Sequence, residues 1–244
     1  MILPVKNQNN NENTLNRNTL LGHFVELRSR LVKVFIAFIV ATIIVYVSSH
    51  WWMKPFIHYI KRAHVTLHAF SFTEMIQIYI MIIFFVALCL IIPIVFYQLW
   101  AFIAPGLHGF IIKYSLWCAL LFIIGVAFAF FIGFPLIINF SLTLSEVLSI
   151  EPVIGFKAYL HELIRWLLIF GVLFQLPTLF MGLAKFDLID VNELKHYRKY
   201  IYFGCFVVAS IIAPPDITLN LLLTLPLIIL FEFSMFIARI SQRS

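Results

Sequence analysis

Residues 75–112 read MIQIYIMIIFFVALCLIIPIVFYQLWAFIAPGLHGFII, a run without a single Asp, Glu, Lys or Arg. About 20 apolar helical residues cross the roughly 30 Å hydrocarbon core of a bilayer. The run is therefore too long for one simple span, and APGLHG at 104–109 supplies the break, with Pro and Gly as turn residues. That places a membrane-crossing helix at 76–103 and a return at its end. The surrounding composition agrees. Of the 244 residues, 63% are hydrophobic and 11% charged, against about 25% charged in a soluble domain. A water-soluble globule of this size has too little interior to hide so much apolar surface, so the solvent this chain fits is lipid.

Working outward, apolar stretches at 31–49, 114–145, 166–184, 200–213 and 218–238 supply five further spans. The expected fold is all-α, with six transmembrane helices. The fifth is short: 16 uncharged residues between Lys199 and Asp216 rise about 24 Å. The APPD turn at 213–216 then makes a short hairpin of the fifth and sixth spans. Pro93, Pro135, Pro177 and Pro226 lie inside spans and predict kinks, hence a bent, cup-like bundle. The chain divides into a flexible polar tail at 1–18, a six-span domain at 19–240 and a short C-terminal tail at 241–244.

The net charge of +6 does not point to nucleic acid, because the basic residues are scattered between apolar runs. Their distribution reads as topology. Lys6, Arg17, Arg28, Arg30, Lys33, Lys113, Lys185, Lys195, Arg198, Lys199, Arg239 and Arg243 fall on one side, twelve of the 17. Lys54, Lys61, Arg62, Lys157 and Arg165, the remaining five, fall on the other. The excess puts both termini on the cytoplasmic or matrix side.

No nucleophile elbow, zincin or phosphate-loop motif occurs, so an enzyme is not expected. Cys89, Cys118 and Cys205 sit in apolar runs without ligand spacing, and His58, His64 and His68 have no carboxylate or Cys to complete a metal set. Neither metal nor cofactor is expected. Polar groups inside spans are the default functional candidates. They are Gln175, midway along the fourth span, and Glu232 in the sixth. An internal helix–helix hydrogen bond is the plain alternative for both. In front of the first span, LLGHFVELRSRL at 20–31 repeats apolar residues at helical spacing, and Glu26 and Arg30 are four apart, as for an ion pair on an interfacial helix.

At these residues a resemblance emerges. HFVELRSRL (23–31), YQLWAFIAPGL (97–107), FGVLFQLP (170–177), RKYIYFGCFVVASIIAPPD (198–216) and LPLIILFEFSMFIAR (225–239) resemble, in order, the motifs of the TatC family. That family is the multispanning subunit of twin-arginine, Sec-independent protein translocases. The likeness implies a receptor that binds signal peptides carrying two consecutive arginines. It also implies recruitment of single-span partner subunits, self-association, and transport of folded proteins on the proton-motive force. A small-solute secondary transporter is the competing reading, but no internal repeat supports it.

Carried over residue by residue, the resemblance assigns signal-peptide binding to Glu26, Arg28, Phe102, Pro105 and Leu107. A carboxylate such as Glu26 offers the bidentate, charge-assisted bond that a guanidinium takes. The resemblance assigns partner-helix or intramembrane polar roles to Gln175, Asp216, Asn220 and Glu232. There are departures. His108 and Ile111 stand where the family has Tyr and Glu, and Asn220 where it favours Gln. Glu26 thus lacks a second carboxylate, and Ile111→Glu is expected to strengthen peptide binding. The Phe-, Ile- and Asn-rich composition resembles an AT-rich genome. It favours a mitochondrial inner membrane, with a bacterial inner membrane or a plastid thylakoid as alternatives.

Overall fold

The computed structural model describes residues 8–61, 67–103, 108–185, 196–212 and 217–243. Helix α1 spans Gln8–Lys61. It begins inside the polar segment expected as a tail, where neither Pro nor Gly interrupts the hydrogen-bond ladder. Helix α2 spans Phe72–Ile103. Helix α3, His108–Phe128, runs through a π-helical turn, Ala129–Gly133, into α4, Phe134–Val147. Helix α5 covers Phe156–Leu173 and α6 Leu176–Lys185. Helices α7, Arg198–Ile212, and α8, Ile217–Arg243, complete the described elements. The pairs α3–α4 and α5–α6 each follow one another with only a local break, so the eight helices make six spans.

The prolines explain the breaks. Pro135 and Pro177 each occupy the second position of a helix, where a missing N–H costs nothing. Ahead of Pro135 the ladder shifts register: the Phe134 N–H donates to Ala129 O, an i→i−5 bond. Ahead of Pro177 the chain tightens instead, and Gln175 N–H donates to Val172 O at 2.9 Å. Pro93 and Pro226 lie within α2 and α8 without ending them.

Among the described residues, four segments are long and apolar enough to cross a membrane: Phe24–His58, Phe72–Phe102, Ile111–Val147 and Phe156–Gly182. Helix α7 has 15 residues, about 22 Å, so the fifth span is short as expected. The sixth span is helix α8, which has 27 residues.

The fourth span also starts earlier than its charges suggested. Helix α5 begins at Phe156, with Lys157, Glu162 and Arg165 in its first turns. Its buried face, Phe156, Tyr159, Leu160, Leu163, Trp166, Leu167 and Phe170, keeps helical spacing throughout. The charged residues occupy the other face, where Glu162 accepts from Trp166 Nε1 at 3.0 Å.

Helix α1 packs on α2, α2 on α3 and α5, and α3 on α5; α6 packs on α8, and α7 on α8. Among the described residues of α1, a narrow stripe, Ala41, Val45, Ser49 and Met53, each one turn from the next, is buried, with Ile60 buried near the end of the helix. Ser49 Oγ lies 2.7 Å from Tyr79 Oη and links that stripe to α2. Phe35, Ile39, Ile43 and Val47 on the remaining faces are exposed. In water such a helix would be an aggregation site, whereas in lipid it is simply solvated.

At the end of the bundle away from Ile103 and Lys185, two loops are tied together. Leu67–His68 pairs in parallel with Ile154–Gly155, the sole strand pairing among the described residues. Buried Glu74, in the first turn of α2, accepts from Phe70 N at 2.8 Å and from Lys157 N at 3.0 Å. The second of these is an orphan donor at the N-terminus of α5, a position that favours a carboxylate. This seam fixes how α5 enters the bundle and so where Gln175 lies eighteen residues further on.

Candidate functional site

Three polar groupings interrupt the apolar bundle. The first lies in the N-terminal half of α1, beside Gln98 near the C-terminal end of α2. Glu26 and Arg30, one turn apart, form a double contact: Arg30 Nε donates to Glu26 Oε1 at 3.1 Å and Nη2 to the same oxygen at 2.5 Å. Arg30 Nη1 also reaches Gln98 Oε1 on α2 at 3.5 Å. The Glu26 side chain is 40% exposed and that of Arg30 20%, so the carboxylate stays accessible from outside while the guanidinium is tucked against α2. Arg28 is exposed. Two residues along a helix it points some 200° from Glu26, so the two residues of this motif that the resemblance assigns to peptide binding do not meet. Phe102 sits one turn beyond Gln98 on α2, at the same end of the bundle. Pro105 and Leu107 lie outside the described residues.

Ile111 bears on the effect expected of a restored carboxylate. It is 2% exposed, in an apolar cluster with Trp100, Tyr114 and Cys118, with Met181 packed against it. A carboxylate placed there would be taken from water into hydrocarbon surroundings, which is costly without a partner. Ile111→Glu is therefore expected to strain α3 against α2 and not to supply Glu26 with an accessible companion.

The second grouping surrounds Gln175. Its Nε2 donates to Cys118 O on α3 and to Gly171 O one turn back, each at 3.2 Å. Its Oε1 is buried without a partner in the described residues. An amide has two donors and an acceptor oxygen, so the donor side is satisfied within the bundle and the acceptor side is left over. The approach that permits this depends on small residues. A Cβ at Gly171 would meet Phe122 Cε2 at 2.6 Å, and one at Gly125 would meet Phe170 O at 2.6 Å. Glycine is needed at both places for α3 and α5 to come this close. Beside the amide, Cys118 Sγ accepts from Trp100 Nε1 at 3.2 Å. The cysteine is thus a buried packing residue, as its apolar run suggested.

The third grouping joins α7 to α8. Arg198 Nη2 donates to Glu232 Oε2 at 2.9 Å, and Tyr202 Oη to Glu232 Oε1 at 2.6 Å. Both carboxylate oxygens are engaged by the neighbouring helix, so Glu232 has its partners within the chain. Asn220 is buried near the start of α8, its Oδ1 without a partner and its backbone O accepting from Thr224 Oγ1 at 2.6 Å. Asp216 lies outside the described residues. Among the described residues no group of three His, Cys, Asp or Glu side chains is placed to hold a metal.

The structure thus brings Glu26 together with Arg30 and Gln98, and not with Arg28. The Glu26–Arg30 spacing was legible as an i,i+4 pair. Gln98, 68 residues from Arg30, carried no sequence signal beyond its place in the second motif. Arg198 and Tyr202 were missed as partners of Glu232, although both stand on the first helix of the same hairpin.

Spans that expose apolar side chains over most of their circumference, with polar groups paired between helices, define the class: a multi-pass helical membrane protein. Comparison with known proteins gives its family. The family model described as Sec-independent protein translocase protein (TatC) matches residues 22–226. The Sec-independent protein translocase protein TatC of Listeria innocua is 38% identical over 92% of this chain and 93% of its own length. The TatCy protein of Bacillus subtilis is 34% identical over 94% and 92%. A crystal structure described as twin arginine translocase receptor TatC in DDM superposes with a TM-score of 0.75 at 32% identity, covering 88% of this chain and 99% of that one. The chain belongs to the TatC family. It is a protein-translocase component and not an enzyme, and nothing favours small-solute transport. These relatives are bacterial, so the preference for a mitochondrial membrane drawn from composition finds no support among them.

Proposed function

We propose that this chain is the signal-peptide receptor of a twin-arginine translocase, and that Glu26 is the carboxylate that meets a signal-peptide arginine. The observation that carries the reading is that Glu26, accessible in the N-terminal half of α1, already holds a guanidinium through two bonds. A site that accepts Arg30 has the geometry to accept an arginine presented by a peptide. Phe102 lies at the same end of the bundle, and the resemblance assigns Pro105, Leu107 and Arg28 to the same binding role.

The excess of Lys and Arg at this end puts it, with both termini, on the cytoplasmic side of a bacterial inner membrane. Gln175 and Asn220, each with a buried acceptor oxygen left over, are the groups to which single-span partner helices donate. The resemblance assigns Asp216 and Glu232 to the same partner-helix role. Self-association and coupling to the proton-motive force belong to the same proposal.

The test is site-specific photocrosslinking of a labelled signal peptide to the protein in inverted membrane vesicles. A peptide with paired arginines is expected to crosslink near Glu26, and one with paired lysines weakly, because ammonium lacks the planar fork. Glu26→Gln is expected to abolish the product while membrane insertion persists. Equal crosslinking to wild type and Glu26→Gln would move the site elsewhere. For the partner face, Gln175→Leu is expected to insert normally but to lose crosslinks to single-span subunits. Crosslinks that survive would leave Gln175 as an internal tie between α3 and α5.

A further inference from the structure

We infer that Arg30 is a built-in occupant of the signal-peptide site, a guanidinium that an incoming arginine displaces from Glu26 and that Gln98 receives on release. The inference rests on the reading of Glu26 as the peptide-binding carboxylate. It goes beyond that reading by assigning Arg30 and Gln98, to which neither the motifs nor the family gave a role.

The geometry has three parts. Arg30 presents the same chemical group as the ligand, and it binds Glu26 through Nε and Nη2, the edge a peptide arginine would use. Both bonds lie within one helix, one turn apart, so breaking them moves no helix and exposes no core. A pair of this kind is also weak, because its residues are partly solvated and already neighbours. Finally, the third nitrogen, Nη1, already lies 3.5 Å from Gln98 Oε1 on α2. That is at the long limit of a hydrogen bond. A small swing of the guanidinium away from Glu26 shortens it, so the displaced cation keeps a partner.

An internal competitor has a definite thermodynamic signature. It lowers the apparent affinity of every ligand by the same factor, the fraction of molecules in which Glu26 is released. Arg30 therefore sets a threshold that weak, single contacts fail to reach. It leaves unchanged the ratio by which the site prefers paired arginine to paired lysine, since that ratio depends on Glu26 and the peptide alone.

The test uses the full-length protein in liposomes and equilibrium binding of fluorescent signal peptides with Arg-Arg or Lys-Lys. Arg30→Gln is expected to tighten both peptides by about two- to five-fold, the range set by an exposed ion pair, with their ratio unchanged. Arg30→Lys, which keeps the charge and loses the fork, is expected to fall between Arg30→Gln and wild type. Gln98→Leu is expected to weaken binding when Arg30 is present and to have no effect in the Arg30→Gln background, a coupling that a purely structural role for Gln98 would not produce. Lys33→Gln removes a like charge one turn further along α1. Tightening by Lys33→Gln equal to that by Arg30→Gln would assign the effect to bulk charge and overturn the inference. So would unchanged or weaker binding in both Arg30→Gln and Arg30→Lys. Glu26→Gln in the Arg30→Gln background separates the two levels. Retained binding there defeats the site reading and this inference with it. Lost binding there, without tightening in Arg30→Gln alone, defeats only the role of Arg30.

Discussion

Of the carboxylates that hold an arginine among the described residues, Glu26 and Glu232 do so in opposite ways. Glu26 takes Arg30 from its own helix, one turn away, through a single oxygen. Glu232 takes Arg198 across 34 residues from the neighbouring helix and adds a tyrosine hydroxyl on its other oxygen. The first pair can open without moving a helix. The second cannot open without separating α7 from α8, and α7 has 15 residues and α8 as its main packing partner. The same ion pair is thus an exchangeable site at one place and a clamp at the other. What decides is whether the bond closes a local or a long-range loop.

The largest expected effect comes from placing a carboxylate in the first region where this chain buries an isoleucine. Ile111→Glu removes a buried side chain from the Trp100–Tyr114–Cys118 cluster and substitutes a charge. It is expected to cost about 3 kcal/mol or more, visible as a markedly lower thermal midpoint in detergent and no gain in peptide binding. A stable Ile111→Glu with tighter binding would show that this end of α3 is open to water and that the expected companion for Glu26 can be restored.

Next in size is Glu232→Gln. The residue is partly exposed, so the loss is discounted from that of a buried pair, to about 1–2 kcal/mol. It is read as a lower midpoint and faster hydrogen exchange in α7. Tyr202→Phe removes one of the two contacts and is expected to cost about 1 kcal/mol. Parity of either variant with wild type in thermal unfolding would reduce the clamp to a surface contact.

These differences explain how far the sequence could be read. Charge-free runs such as 75–112 located the spans, because lipid permits nothing else of that length. Pro135 and Pro177 were legible as kinks, though not as second-position residues of new helices. The start of α5 was misplaced because Lys157, Glu162 and Arg165 masked an amphipathic turn whose apolar face only packing reveals. For the site, Glu26 was legible as a motif and Arg30 as its i,i+4 neighbour. Gln98, Arg198 and the Cys118 carbonyl were not, since each reaches its partner across a distance in sequence that no local pattern records.

The smallest expected change in stability is also the most informative, because it pairs with the largest change in binding. Glu26→Gln loses an exposed i,i+4 ion pair worth at most about 0.5 kcal/mol. The direct test sets it beside Glu232→Gln, measuring thermal unfolding and twin-arginine peptide crosslinking on the same two preparations. The expected result is a reciprocal one: Glu26→Gln keeps the wild-type midpoint and loses the peptide, and Glu232→Gln lowers the midpoint and, below its melting range, keeps the peptide. Peptide crosslinking that survives in Glu26→Gln, or that is lost equally in both variants at a temperature where both are folded, would contradict the division of the two carboxylates into site and clamp.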